Sequence, residues 1–348
     1  MTEENQKLVL IDGNAIIHRA YHALPKTMTT RAGEPTNATY GFTTTLIKVL
    51  EDLKPEFIAC SFDLAGPTFR HKEFADYKAT RVKADQELYD QIPRVKQIVE
   101  TMGIPIYEKE TFEADDILGT IAEKIKSEKL KVKNSGIDIY IVSGDKDIYQ
   151  LINGNVKVYS LRKGLSQLQI VDHDTIKREY NLDPADFIDL KALAGDASDN
   201  IPGVPGIGSK TATDLIQKFD SLEKLYAYID QKSNIKDQND KDENQKEIKP
   251  RILNLLIENR DQAFMSQKLA TIYRDVPIDF DLEKCRFGEY DKIKLTELFE
   301  ELGFQSLLRR FEGEKSQITR NLRSDPVGKS QTNSKSEIPK KDEQLKLL

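Results

Sequence analysis

LVLIDG, Leu8 to Gly13, sets four apolar residues directly against an aspartate and a glycine. The run is too short for a buried helix and ends in turn formers, so it reads as a strand that is covered on both faces. FIACSFD (Phe57 to Asp63), IPIYEK (Ile104 to Lys109), DIYIVSGD (Asp138 to Asp145) and VKVYSL (Val156 to Leu161) repeat the pattern. Helical spacing fills most of the gaps, at Asn37 to Leu53, Gln86 to Met102, Ala114 to Ile125 and, more briefly, Ile148 to Ile152. Strands alternating with helices predict an α/β domain with a doubly wound, mainly parallel sheet over residues 1–172.

From Asp174 onward the pattern turns helical, in TIKREY, PADFIDLKALAG, SKTATDLIQKF, SLEKLYAYI and PRILNLLIENRDQAF, and then in LTELFEELGFQSLLRRF (Leu295 to Phe311). An α-rich region over 173–312 is expected, with Gln231 to Lys249 as a polar connection inside it and 313–348 as a disordered tail. There is no internal repeat.

The 348 residues, 38% of them hydrophobic, suffice for a substantial core. No apolar run approaches the roughly 20 residues of a membrane-spanning helix, and MTEENQKLVL is unlike a secretory signal, so a cytoplasmic location without membrane contact is expected. The cysteines are Cys60 and Cys285, too few for a disulfide framework or a zinc site. Any metal is then held by oxygen. The formal charge of −6 conceals acids concentrated at a few positions and bases at others, so it does not exclude a phosphate-bearing partner.

Ligands of an open α/β sheet bind beyond the carboxyl ends of its strands. Asp12, Asp63, Asp145 and Asp147 fall at or just past such ends, and Glu113, Asp115 and Asp116 open the helix after the third strand. Asp196 and Asp199 lie at a tight turn in the helical region. Singly, each acid reads as readily as a turn former or a helix-dipole partner. Gathered on one edge of one sheet, so many carboxylates repel strongly unless cations sit among them, and hard oxygen ligands select magnesium or manganese. Two such ions can activate a water and hold a phosphodiester for in-line attack without a protein nucleophile. His18, His22, His71 and His173 form no nucleophilic motif and are assigned structural or surface roles.

Two stretches suit nucleic acid. In GVPGIGSKTATDLIQKF, Gly203, Gly206 and Gly208 let the backbone approach a phosphate, Ser209 is the expected N-cap, and Lys210 adds a charge at a helix N-terminus. The stretch resembles a helix-hairpin-helix motif, which grips duplex DNA by its backbone; the plainer reading is a glycine turn between structural helices. In PTFRHKEFADYKATRVK, a helix would place Arg70, Phe74, Tyr77 and Arg81 on one face beside Lys78, suiting single-stranded nucleic acid, or would simply be a solvated amphipathic helix.

LIDGNAIIHRAYHAL, GEPTNATYGF, FDLAGPTFRHKEFADYKATR, FEADDILGT, SGDKDIYQL and GDASDNIPGVPGIGSKTA occur in this order. Together they resemble the 5′ to 3′ exonuclease domain of bacterial DNA polymerase I and, more broadly, the flap endonuclease family, over Leu8 to Phe311. The resemblance implies a PIN-like catalytic sheet, a helical arch near 66–94, and a helix-hairpin-helix near 198–219. It implies a structure-selective 5′ nuclease acting on 5′ ends, 5′ flaps and RNA-primer junctions in replication and repair. Asp12, Asp63, Glu113 and Asp115 would surround a first metal and Asp145, Asp147 and Asp199 a second, with Asp116 and Asp196 acting through water. Lys78 and Arg81 would approach the scissile phosphate, Tyr77 would stack on the substrate end, and a potassium ion would sit at the hairpin carbonyls. A monomer working with a DNA polymerase is the implied setting.

The chain stops where polymerase I proteins continue, which leaves a stand-alone enzyme and a fragment equally open. Gln231 to Lys249 is longer than the family suggests, and KVKNSG before the fourth strand looks like an insertion. Two other functions compete with this reading: a PIN-type metal-dependent RNase, which would lack the hairpin, and a non-catalytic DNA-binding scaffold.

Overall fold

A computed structural model describes residues 5–129, 136–163, 167–234 and 248–310. The tail 313–348, most of the polar stretch and all of KVKNSG except Gly136 lie outside them. The described residues as far as Phe304 form one compact unit, and helical residues 305–310 belong to a second.

The first unit is built on six strands, β1 (Gln6–Asp12), β2 (Phe57–Ser61), β3 (Ile106–Tyr107), β4 (Ile137–Ser143), β5 (Val156–Lys163) and β6 (Gln167–Val171). Their order across the sheet is β3-β2-β1-β4-β5-β6. All neighbours pair in parallel except β5 with β6. The antiparallel edge strand β6 is an addition to the expected strands; its glutamines dilute the apolar pattern that marks the others. The chain winds outward through β2 and β3, then returns past β1 to β4, so the order reverses between β1 and β4.

Alternation along the strands decides which residues meet which layer. Leu8, Leu10, Ala59, Ile139 and Ile141 join the core that also holds Ile117, Leu118 and Ile121. These last three lie on α6 (Ala114–Lys129), which follows α1 (Gly13–Ala23), α2 (Asn37–Leu53), α3 (Phe69–Glu73), α4 (Gln86–Tyr89) and α5 (Ile92–Thr101). The expected helix from Gln86 to Met102 is two helices, α4 and α5, and the one near Ile148 is a 3-10 turn, Asp147–Leu151.

The α-rich region contains α7 (His173–Tyr180), α8 (Asp186–Ala194), α9 (Ser209–Phe219), α10 (Leu222–Asn234), α11 (Pro250–Glu258), α12 (Arg260–Ala270) and α13 (Lys292–Glu301). Leu215, Tyr226, Leu256 and Cys285 from this region share the core of the sheet, so hydrophobic burial joins the two halves continuously. The expected last helix, Leu295 to Phe311, is broken at Gly303, whose φ of 74° is left-handed. No helix among the described residues is long and apolar enough to cross a membrane.

The segment Pro67 to Lys83 departs most from expectation. Only Phe69–Glu73 is helical; Phe74 turns extended and Lys78 takes a left-handed φ of 57°. Bonds to a distant loop compensate that strain: the Lys78 N–H donates to the Asp199 carbonyl at 2.9 Å, and the Asn200 side chain donates to the Asp76 carbonyl at 2.6 Å. Arg70, Phe74, Tyr77 and Arg81 therefore do not share a helix face.

Candidate active site

Asp12 closes β1 and caps α1 at once. One carboxylate oxygen accepts the Ala15 N–H at 3.0 Å, and the other accepts the Ser143 hydroxyl at 2.7 Å from the end of the neighbouring strand β4. Asp63, two residues past β2, accepts the Ala114 N–H at 2.7 Å, at the start of α6. The Asn14 side chain accepts the Asp63 N–H at 3.1 Å, so α1 and the β2 end are pinned together. Ser143 also accepts the Asp145 N–H at 3.0 Å, which directs the turn after β4 toward the same edge.

Asp12, Asp63, Glu113, Asp115 and Asp145 consequently line one cleft of about 230 Å³ beside the strand-order reversal. Lys78, Arg81 and His18 complete its wall. Asp147 and Asp199 line a narrower recess that shares Glu113, Asp115 and Asp145 with it.

Electrostatics record this crowding. Burial raises the Asp12 carboxyl to about 7 against the help of its Ala15 and Ser143 bonds, and the charges of Asp63 and Asp145 add to the rise. Asp147 is likewise raised to about 7, first by burial and then by Asp145. Asp115 stands well above the ordinary carboxylate range, through burial and then through Asp12, Asp145, Asp63 and Asp147 together. Asp63 is raised as well, chiefly by burial.

The protein's own cations relieve part of the repulsion. Lys78 donates to Glu113 at 2.8 Å, and Arg81 pairs with Asp199. Lys191, on α8, bridges Asp147 and Asp196. Burial works against the ionised form of Asp196, yet the bonds from Lys191 and Ser198 hold it down at about 2. Nothing in the sequence marked Lys191, whose only signal is its place five residues before Asp196.

Several expected site residues lie elsewhere. Asp116 is fully buried and turned away from the cleft, its two oxygens held by the Arg70 guanidinium. Arg70, 3% exposed, is thereby removed from any DNA-facing surface. Tyr77 is also 3% exposed, packed with Ile201 and Leu269, and its hydroxyl donates to Asp199 at 3.2 Å; it presents no ring face for stacking. Phe74 packs beside it, half-buried. His18 moves in the other direction, from an expected structural or surface role to the wall of the cleft.

The hairpin depends on glycine at two close approaches. A Cβ on Gly203, at φ 61°, would meet the Gly195 nitrogen at 2.2 Å, and one on Gly195 would meet the Ile201 carbonyl oxygen at 2.7 Å. Gly203 is buried, whereas Gly206, Gly208, Ser209 and Lys210 are exposed. Gly208, not Ser209, is the N-cap of α9. The Gly203 and Val204 carbonyls already accept bonds from Gln262 and Ile207. Each carbonyl keeps a second lone pair, so these bonds leave room for the expected potassium ion.

The description "5′-3′ exonuclease, N-terminal resolvase-like domain" matches residues 7–181, and "5′-3′ exonuclease, C-terminal SAM fold" matches residues 182–293. This chain belongs to the 5′-3′ exonuclease family. Within curated relatives, this family member is 40% identical to DNA polymerase I of Bacillus subtilis over 307 residues, 88% of this chain and 32% of that protein. It is 39% identical to DNA polymerase I of Bacillus caldotenax, over 91% of this chain and 34% of that protein. The chain thus spans about a third of the length of these polymerases.

Among solved structures, a T5 5′-exonuclease with bound divalent metal ions (zinc) shares the fold of this exonuclease-family chain. The TM-score is 0.59 at 20% identity, covering 77% of this chain and 90% of that one. The catalytic core of Rad2 in complex with DNA substrate matches at TM-score 0.52 and 18% identity, covering 86% and 88%.

The donor set of this exonuclease-family cleft suits a hard divalent cation, because carboxylate oxygens dominate it and their mutual repulsion is what such a cation would relieve. Among the described residues, no three acidic, histidine or cysteine side chains are drawn together at metal-ligating geometry. A magnesium ion held here by one or two of the carboxylates would complete its shell with water.

Proposed function

We propose that this chain hydrolyses DNA phosphodiester bonds at 5′ ends and 5′ flaps, RNA-primer junctions included, as a magnesium-dependent nuclease. The observation that carries the reading is the convergence of Asp12, Asp63, Glu113, Asp115 and Asp145 on one cleft walled by Lys78 and Arg81. A pair of magnesium or manganese ions held there would lower the pKa of a water and stabilise the leaving oxygen. Asp12, Asp63, Glu113 and Asp115 form the candidate first set, and Asp145, Asp147 and Asp199 the second. Lys78 and Arg81 already contact Glu113 and Asp199, so a phosphate in the cleft exchanges a carboxylate partner for a phosphoryl one.

Duplex is held apart from the chemistry. The exposed residues Gly206, Gly208, Ser209 and Lys210 offer backbone N–H groups, the α9 N-terminus and one lysine to a phosphate backbone. Residues 1–172 then carry most of the catalytic groups, 173–312 contribute Asp199 and otherwise serve binding, and a DNA polymerase is the natural partner, since the relatives carry this segment within one.

Incubation with a labelled 5′-flap duplex, with magnesium and with chelator, tests the reading. Product that appears only with magnesium supports it. Tight flap binding with no metal-dependent product would favour the scaffold instead.

A further inference from the structure

Asn14 and His18 are four residues apart on α1, share a helix face, and both line the acidic cleft. Asn14 is committed, since its amide oxygen accepts the Asp63 N–H. His18 is not. Among the described residues neither of its ring nitrogens has a hydrogen-bond partner, although the side chain is only partly exposed. The ring nitrogens are not buried, the one buried side-chain polar atom without a partner among the described residues being the Tyr228 hydroxyl, so at the cleft wall they are open to bond what fills the cleft.

The chemistry of its neighbours defines that occupant. Burial, then His22 and Arg81, disfavour the charged imidazolium, so the ring enters as a neutral imidazole with one N–H to donate. An acceptor that also draws Lys78 and Arg81, which line the same cleft, is anionic and rich in oxygen.

We infer that His18 donates a hydrogen bond to a non-bridging phosphate oxygen of the bound DNA strand, beside the phosphate engaged by Lys78 and Arg81. The inference rests on the phosphodiesterase reading above. A neutral donor orients the strand while adding less to product retention than a third cation would.

Steady-state cleavage of a labelled 5′-flap duplex by the full chain tests this with His18→Phe, which keeps a ring and loses the donor, and His18→Gln, which keeps an N–H. Loss of one bond to an anion raises KM about tenfold in His18→Phe. His18→Gln stays within about threefold of the parent, and both variants keep the parental melting temperature. A KM unchanged in His18→Phe overturns the assignment, as does equal damage from both substitutions or a loss that tracks a fall in melting temperature. A parent that cleaves nothing overturns the phosphodiesterase reading along with it, whereas an active parent with an indifferent His18→Phe removes only the role of His18.

Discussion

Arg70 meets Asp116 at two points, 2.8 and 2.7 Å, with both side chains almost wholly withdrawn from solvent. Two further N–H groups of the guanidinium reach the carbonyls of Leu269 and Thr271, Nη1 also lies 3.5 Å from the Glu113 carboxylate, and the Tyr273 and Glu113 N–H groups complete the shell of Asp116. One pair thus joins α3, the start of α6 and the segment after α12. Removing the arginine leaves an unpaired buried carboxylate, so Arg70→Ala should cost about 3–5 kcal/mol. Arg70→Lys should recover little of that, since an ammonium lacks the planar fork. Urea unfolding would check both; a loss under 1 kcal/mol in Arg70→Ala would refute the account.

Asp115→Asn removes one of the acids most burdened by its neighbours without touching the hairpin. Cleavage should fall more than about a hundredfold, a loss that even indirect partners of metal sites can produce. Flap affinity, read by fluorescence anisotropy in chelator, should stay near that of the parent. Near-normal turnover would remove Asp115 from the chemistry.

Lys78→Ala should lower kcat by about 10²–10³ with a smaller change in KM, the pattern for a charge used mainly in the transition state. The complementary pattern, a raised KM at constant kcat, would make Lys78 an anchor for the strand.

Asp12 and Asp147 each move from 3.8 to about 7 on folding. At these two acids the folded state therefore binds more protons than the unfolded chain between those values, so their contribution to metal-free stability falls as pH rises from about 3.8 to about 7 and then levels off, with His18, lowered from 6.5, offsetting part of it. Asp196, held at about 2, acts in the opposite sense, but its effect is confined below 3.8. Magnesium should raise the melting temperature more above pH 7 than at the acidic end of this window. Thermal scans in chelator that show stability increasing across the window would contradict the burial of these acids.

Gly203→Ala sets a methyl against backbone at 2.2 Å in a left-handed conformation, and should cost about 2 kcal/mol or more together with duplex affinity. Gly208→Ala has no atom within 4 Å of the added carbon and an ordinary φ of −92°, so its fold should stand. Any loss of duplex binding in Gly208→Ala would then report on the contact surface itself. Calorimetry paired with duplex titration separates the two; equal destabilisation would count against the close approach at Gly203.

The sheet was legible in sequence because buried parallel strands write themselves as short apolar runs, and the acids because they follow those runs directly. Asp116 was harder. It is adjacent to Asp115, and successive helical residues project about 100° apart, so one faces the cleft while the other faces Arg70. Periodicity could not expose the break at Lys78 either, since the bonds that hold it come from Asp199 and Asn200, more than a hundred residues away. His18 carried one usable signal, its position four residues after Asn14 on the helix that Asp12 caps.

Asp12 also fixes what a genetic lesion there can teach. Because its carboxylate starts α1 and fastens β4 to β1, a change at this position is both a chemical and an architectural injury. An inactive Asp12 variant is therefore ambiguous where an inactive Asp115 variant is not, and natural variation at Asp12 should be constrained twice over, by the reaction and by the joint it holds closed.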